Sequence, residues 1–256
     1  MAVAHKGAIS FGLVHIPVGL YTATQDNDIR FNQLHRKDNS RVRYKKVCAH
    51  CDKEIKAEEI VKGFEYDKDK FVIVTDEDFE KIKTEKDRSL DILHFTDAAN
   101  IKPIYYDRTY HAVPQTGGEK AFELLRQAMI KKKKVAVAKT IMSNNETMLA
   151  IMPTEEGILI QTMYFENEIK DIPKEYSRPK VSKEELAMAE RLIASMDKPY
   201  EPEKYHDEYQ ERLRDLIENK ISGKQIVLPR QEGKESVLEL MDALKKSVEE
   251  SKRKAG

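Results

Sequence analysis

Three apolar runs, 135–142, 148–152 and 158–165, follow one another with only Ser143-Asn144-Asn145 and the stretch 153–157, from Pro153 to Gly157, between them. Ser, Asn, Pro and Gly clusters at that spacing stop helices and reverse the chain, so the segment reads as a three-strand meander. Further candidate strands lie upstream. Residues 1–23 combine small and β-branched side chains with Gly7, Gly12, Pro17 and Gly19 as breakers, which gives short strands and turns. The run 71–75 is apolar, and 104–113 is rich in Tyr and β-branched residues before Pro114, Gly117 and Gly118. Many short strands at hairpin spacing predict a mixed α/β, mainly β fold, a barrel or sandwich with a few inserted helices. Along 135–142, Val135, Val137 and Thr140 alternate with small or basic residues, predicting one apolar face and one that presents Lys134 and Lys139.

Helices are expected at 76–86, opened by Thr75, Asp76 and Glu77, and at 119–131, where Ala121, Leu124, Leu125, Ala128 and Met129 recur at helical spacing. Past Pro173 the texture is helical. Ser182 and Glu185 form a capping box ahead of the stripe Leu186, Ala189, Leu192, Ile193 and Met196. A second helix over 203–222 carries Tyr205, Tyr209, Leu213, Leu216, Ile217 and Ile221 and stops at Gly223. Residues 223–235 read as a linker, and 236–251 as a last amphipathic helix with Val237, Leu238, Leu240, Met241, Leu244 and Val248 on one side. Such a helix either folds back on its own domain or packs on a partner. The organisation expected is a β core over 1–175, a helical segment over 176–224, and a linker with a terminal helix over 225–256.

With 45 basic and 45 acidic residues the net charge is zero, but the charge is segregated. Residues 30–46 carry a net +6 through Arg30, Arg36, Lys37, Arg41, Arg43, Lys45 and Lys46 against Asp38, and 119–139 carry a net +5. Acid dominates 54–91, with thirteen acidic and eight basic residues. Segregation of this kind suits a surface that meets phosphate, although charge blocks also occur as solvated faces. No apolar run nears the length of a membrane span, and the opening residues lack the pattern of a signal peptide, so the cytoplasm is the expected compartment.

Cys48-Ala49-His50-Cys51 is the sharpest local motif. Two thiolates at CxxC spacing can hold zinc, which wants about four ligands, and no second CxxC exists. His35 or His50 could complete a site, two copies could share one, or the motif is a metal-free turn. Catalytic patterns are missing: Gly117-Gly118-Glu119-Lys120 lacks the leading Gly and the Ser or Thr of a phosphate loop, and there is no HExxH, GxSxG or dinucleotide fingerprint. Asp76 and Asp78 could bind a nuclease metal, but acids there more often cap a helix. A binding protein is expected rather than an enzyme.

The opening HKGAISFGLVHIPVGLYTAT, and then FNQLHRKDNSRVRYKKVCAHC, EEIVKGFEYDKDKFVIVTDEDFE, PIYYDRTYHAVPQTGGEKAFELLRQAM and EKYHDEYQERLRDLIENKISGK, resemble the bacterial Ku family in family order over about residues 3–250, with His5 where a Trp is usual. The resemblance implies a β-barrel core with long strands reaching across as a bridge, and two chains closing a ring around duplex DNA. It implies a non-catalytic homodimer that binds double-stranded DNA ends without sequence preference in non-homologous end joining, on the nucleoid. The bridge role falls to Arg36, Lys37, Arg41, Arg43, Lys45 and Lys46, and further to Arg126, Lys134 and Lys139. Cys48 and Cys51 look like the remnant of a zinc-ribbon knuckle, with zinc the cofactor to test. By the same resemblance 236–251 recruits DNA ligase D through Leu238, Leu240, Met241 and Leu244, and the long lysine-rich extension of many relatives is not expected past Gly256. The rival reading is a zinc-ribbon-like regulator that grips internal duplex sites.

Overall fold

The computed structural model describes residues 2–82, 89–173 and 179–223. The chain divides into two compact units, Met1–Asp171 and Ile172–Gly256. The first is built on nine strands: β1 (His5–Phe11), β2 (Val14–Thr22), β3 (Lys62–Asp67), β4 (Lys70–Val74), β5 (Ser89–Thr96), β6 (Tyr106–Pro114), β7 (Val135–Met142), β8 (Asn145–Pro153) and β9 (Ile158–Met163). Seven of them close a barrel in the order β1-β2-β6-β9-β8-β7-β5, sealed by a parallel pairing of Ala8–Ser10 with Ser89–Asp91. The neighbours otherwise run antiparallel. The predicted meander is β7-β8-β9. Its first turn is tighter than expected, because Ser143 and Asn144 both adopt positive φ and leave Asn145 to open β8.

Ile9, Leu20, Leu90, Leu149, Ile151 and Ile160 are fully buried in one core cluster. Strand β7 is buried on both faces over 135–138, where one apolar and one basic face were expected. Ala136 and Ala138 sit in the core opposite Ile151 and Leu149, while Val135 and Val137 lie outside that cluster on the side that carries Lys139. Directly opposed residues share a face, and a narrow barrel fills best when small side chains meet large ones, so the register overrides the larger valines.

Helix α2 (Glu119–Lys132) contributes Phe122, Leu125 and Met129 to the same core. Its start is pinned to β2: Pro17 O accepts from Gln115 N at 2.8 Å, and a Cβ on Gly118 would stand 2.9 Å from Pro17 Cδ. The strand directions place α2 at one end of the barrel, after the end of β6 and before the start of β7. The chain between β2 and β5 leaves and returns at the other end, where Thr22 pairs with Tyr110 and Ser89 begins β5.

That excursion holds residues 23–61, then the hairpin of β3 and β4, then α1 (Asp76–Ile82). Among the described residues it contributes no buried one, and the hairpin exposes Phe64, Tyr66, Phe71 and Ile73. Where long bridge strands were expected, 23–61 holds two isolated bridges, Leu34 with Arg41 and Val47 with Glu54.

In the second unit, α3 (Lys183–Met196) starts at the predicted capping box, with Ser182 Oγ accepting from Glu185 N at 3.2 Å and Glu185 accepting from Ser182 N at 2.8 Å. Helix α4 (Glu208–Ile221) begins later than predicted because Asp207 caps it, accepting from Gln210 N at 2.9 Å. Neither helix buries a residue, and Leu186, Ile193, Tyr209 and Ile221 are exposed. No described helix is long and apolar enough to cross a membrane. The expected tail helix, with Leu238, Leu240, Met241 and Leu244, lies outside the described residues.

Two substitutions test this packing. Leu149→Ala removes a fully buried side chain and should cost about 2–5 kcal/mol by urea titration. Gly118→Ala, a gain of one methyl group, should still cost about 1–3 kcal/mol because α2 must shift from Pro17.

Candidate nucleic-acid interface

Residues 33–46 hold most of the basic block, and local hydrogen bonds order them without a core. His35 N donates to Ser40 O, Asn39 N to His35 O and Val42 N to Gln33 O, at 2.8, 2.8 and 3.0 Å. Tyr44 adds a hydroxyl bond to the Gln33 side chain. Asn39 takes the left-handed conformation that closes the turn, so Arg36 and Lys37 stand at its tip. Asp38, the one acid in the block, is held by the turn. Ser40 N, the Ser40 hydroxyl and the His35 ring bond its carboxyl and hold it below the usual carboxylate range. Arg41, Arg43 and Lys45 follow at the two-residue spacing of one strand face.

All six proposed bridge cations are exposed. Lys45 pairs with Glu54 at 2.6 Å, whereas Arg36, Lys37, Arg41, Arg43 and Lys46 make no ion pair among the described residues. Exposed cations without internal acids are free to neutralise phosphates.

The other three cations are placed differently. Arg126 is committed to structure: it forks onto the Glu123 carboxylate at 2.8 and 2.7 Å and donates to Thr154 O and Glu155 O at 2.7 and 3.0 Å, tying α2 to the β8–β9 turn. The Arg126 guanidinium, with help from the Gln127 amide, holds Glu123 down to about 2. Lys134 pairs with Asp97 at 2.7 Å, and Lys139 with Glu146 at 3.4 Å. Arg126 and Lys134 thus lie at the α2 end of the barrel, and the bridge cations emerge from the opposite end. Lys131, Lys132 and Lys133 are exposed at the C-terminus of α2, where positive charge suits the helix dipole, and Lys133 holds the left-handed cap position.

Cys48 and Cys51 do meet. The turn 48–52 is closed by Cys48 N to Lys53 O at 3.0 Å and Asp52 N to Cys48 O at 2.9 Å, with Asp52 left-handed. The Cys48 sulfur accepts from the backbone N–H of Cys51 and of His50 and from the Cys51 thiol, which lowers its pKa from the ordinary thiol value. A metal would find these two sulfurs but no third ligand, since no group of three or more His, Cys, Asp or Glu side chains converges among the described residues. His35 is turned to Asp38.

The acids weighed for metal catalysis have local partners too. Asp78 accepts from Thr75 N and Thr75 Oγ1 at 3.0 and 2.8 Å, in the capping pattern expected at α1, and Asp76 pairs with Lys62 at 2.8 Å. A recess of about 740 Å³ on the barrel holds His111, Glu155 and Glu156 on an apolar floor, away from the bridge cations.

These features define a class: a β-barrel protein with a self-sufficient core that carries a block of exposed positive charge on a long insertion at one end. Residues 10–188 match the Ku70/Ku80 beta-barrel domain. The chain is 58% identical over 251 residues to the non-homologous end joining protein Ku of Lachnoclostridium phytofermentans, covering 98% of each. It is 43% identical over 252 residues to the protein of that name from Archaeoglobus fulgidus, covering 97% of this chain and 99% of the relative. With the Bacillus subtilis protein of that name it shares 34% over 254 residues, covering 97% and 82%. The chain belongs to the Ku family.

The Glu123–Arg126 tie predicts a pH signature. Because the Glu123 pKa is depressed in the fold from 4.5 to about 2, the pair contributes its full stability above about pH 4.5. That contribution fades as pH falls toward 2. The urea-midpoint difference between wild type and Glu123→Gln should follow this course, large at pH 7 and small at pH 2.5. A difference independent of pH would show that the carboxylate charge is not what Arg126 holds.

Proposed function

We propose that this chain is a non-catalytic DNA-end-binding protein of non-homologous end joining, working in the cytoplasm on the nucleoid, whose two copies close a ring through which a duplex end is threaded. One observation carries the reading: residues 23–61 leave a finished barrel and carry exposed, unpaired Arg36, Lys37, Arg41, Arg43 and Lys46 on local turns with no core of their own. Loops this long are uncommon unless they are functional. Phosphate contacts by such side chains bind any sequence and allow sliding. The relatives' shared name, non-homologous end joining protein Ku, supports the pathway.

A second copy of the chain supplies what the single chain lacks. A two-stranded hairpin is marginal in water, and β3-β4 exposes aromatic and β-branched side chains, as do the stripes of α3 and α4. Burial of these surfaces between two copies would stabilise both. Arg126, Lys134 and Lys139 belong to this interface only if their internal acids release them, so the bridge cations bear most of the binding. Residues 236–251 then recruit DNA ligase D, with Leu238, Leu240, Met241 and Leu244 entering a groove as the apolar face of a helix.

Gel-shift titration of one DNA as a linear fragment and as a covalently closed circle tests the ring. Binding to the linear form alone is expected; equal binding to both would replace the ring with a side-on grip on internal duplex. Affinity should fall by roughly 10³ to 10⁵ between 50 and 200 mM salt for about six to ten phosphate contacts. Arg41→Ala with Arg43→Ala should reduce the slope of log affinity against log salt by about 1.8, on sequences of any composition. An Arg126→Ala variant should lower thermal stability and leave that slope nearly unchanged.

A further inference from the structure

The bridge holds a feature that phosphate binding does not use. Cys48 and Cys51 share the turn 48–52, whose Val47–Glu54 bridge and Cys48–Lys53 hydrogen bond fix its two ends. Cysteines three apart in a tight turn have Cα atoms within about 7 Å, the range a disulfide spans. The turn closed by Asp52 N on Cys48 O already holds the two residues at that separation, so bond formation needs little backbone movement. Cys48 is half-buried and Cys51 is exposed, so reagents in solution reach the pair.

We propose that Cys48 and Cys51 form a reversible dithiol–disulfide site in the bridge, oxidised by low-molecular-weight disulfides. The thiolate is the attacking form in such an exchange. The Cys48 thiolate attacks one sulfur of a disulfide such as oxidised glutathione, forming a mixed disulfide and releasing one glutathione thiolate. The Cys51 thiol then loses its proton and attacks the Cys48 sulfur, releasing the second glutathione. The pair gives up two electrons and two protons, and the oxidant becomes two thiols. Zinc would need two ligands that no described residue brings near, whereas the disulfide needs only the two sulfurs already there. The site does not depend on the DNA-binding reading, because its chemistry is measured without DNA.

The test is oxidation of the full-length protein with oxidised glutathione, followed by thiol counting, non-reducing electrophoresis and peptide mass spectrometry. Both thiols should disappear together, at the mobility of a single chain, as a Cys48–Cys51 linked peptide that dithiothreitol reopens. Cys51→Ser should instead stall as a glutathione adduct on Cys48, and Cys48→Ser should react far more slowly. Three results would overturn the site: thiols that survive the oxidant, a disulfide that joins two chains, or thiols protected by half an equivalent or more of copurified zinc until a chelator removes it.

Discussion

Closure of the barrel by three parallel pairs, Ala8 with Ser89 through Ser10 with Asp91, is the contact on which the rest depends. Without it β1 and β5 would be open edges with unpaired backbone groups, and seven strands would form a sheet with an aggregation-prone rim. With it every barrel strand has two neighbours, and the interior is filled by a single cluster completed by α2. The core therefore asks nothing of residues 23–61. That independence lets a segment with a net charge of +6 over 30–46 persist, since its mutual repulsion is never set against packing.

Local chemistry made much of this legible in the chain. The meander β7-β8-β9, α2 and the Ser182–Glu185 cap follow from turn residues, helical spacing and a capping box, all of which act over a few residues. Strand β5 was not legible. Its apolar rhythm is broken by Asp91 and by a bulge between Ile92 and His94, and its partner β1 lies far away in sequence. The short strands expected over 1–23 are β1 and β2, and β2 runs through Pro17 and Gly19, breakers that the barrel tolerates because Pro17 offers its carbonyl to Gln115 and Gly19 packs closely under Tyr21. The burial of β7 on both faces was missed because hydrophobicity ranks Val above Ala, while the register with Ile151 and Leu149 also draws Ala136 and Ala138 into the core cluster.

The candidate interface shows the same division. Charge is a property of composition, so the basic block stood out at once. Whether a cation is free depends on acids brought near by folding. Asp97 reaches Lys134 and the Thr154 and Glu155 carbonyls reach Arg126 across the fold, pairings no spacing announces. Asp38 is the reverse case: an acid inside the basic block whose carboxylate is occupied by Ser40 and His35. The turn that sets Arg36 and Lys37 at its tip also keeps that acid occupied with its own backbone.

Because the excursion between β2 and β5 departs and returns at the same end of the barrel, its length is decoupled from the scaffold. Doubling a flexible connection costs only about 0.6 kcal/mol in closure entropy, and residues 23–61 surrender no buried contacts when they change. The segment can therefore change length without disturbing the barrel, whereas Gly118 cannot gain even one atom, because the seat of α2 against Pro17 leaves no room for it.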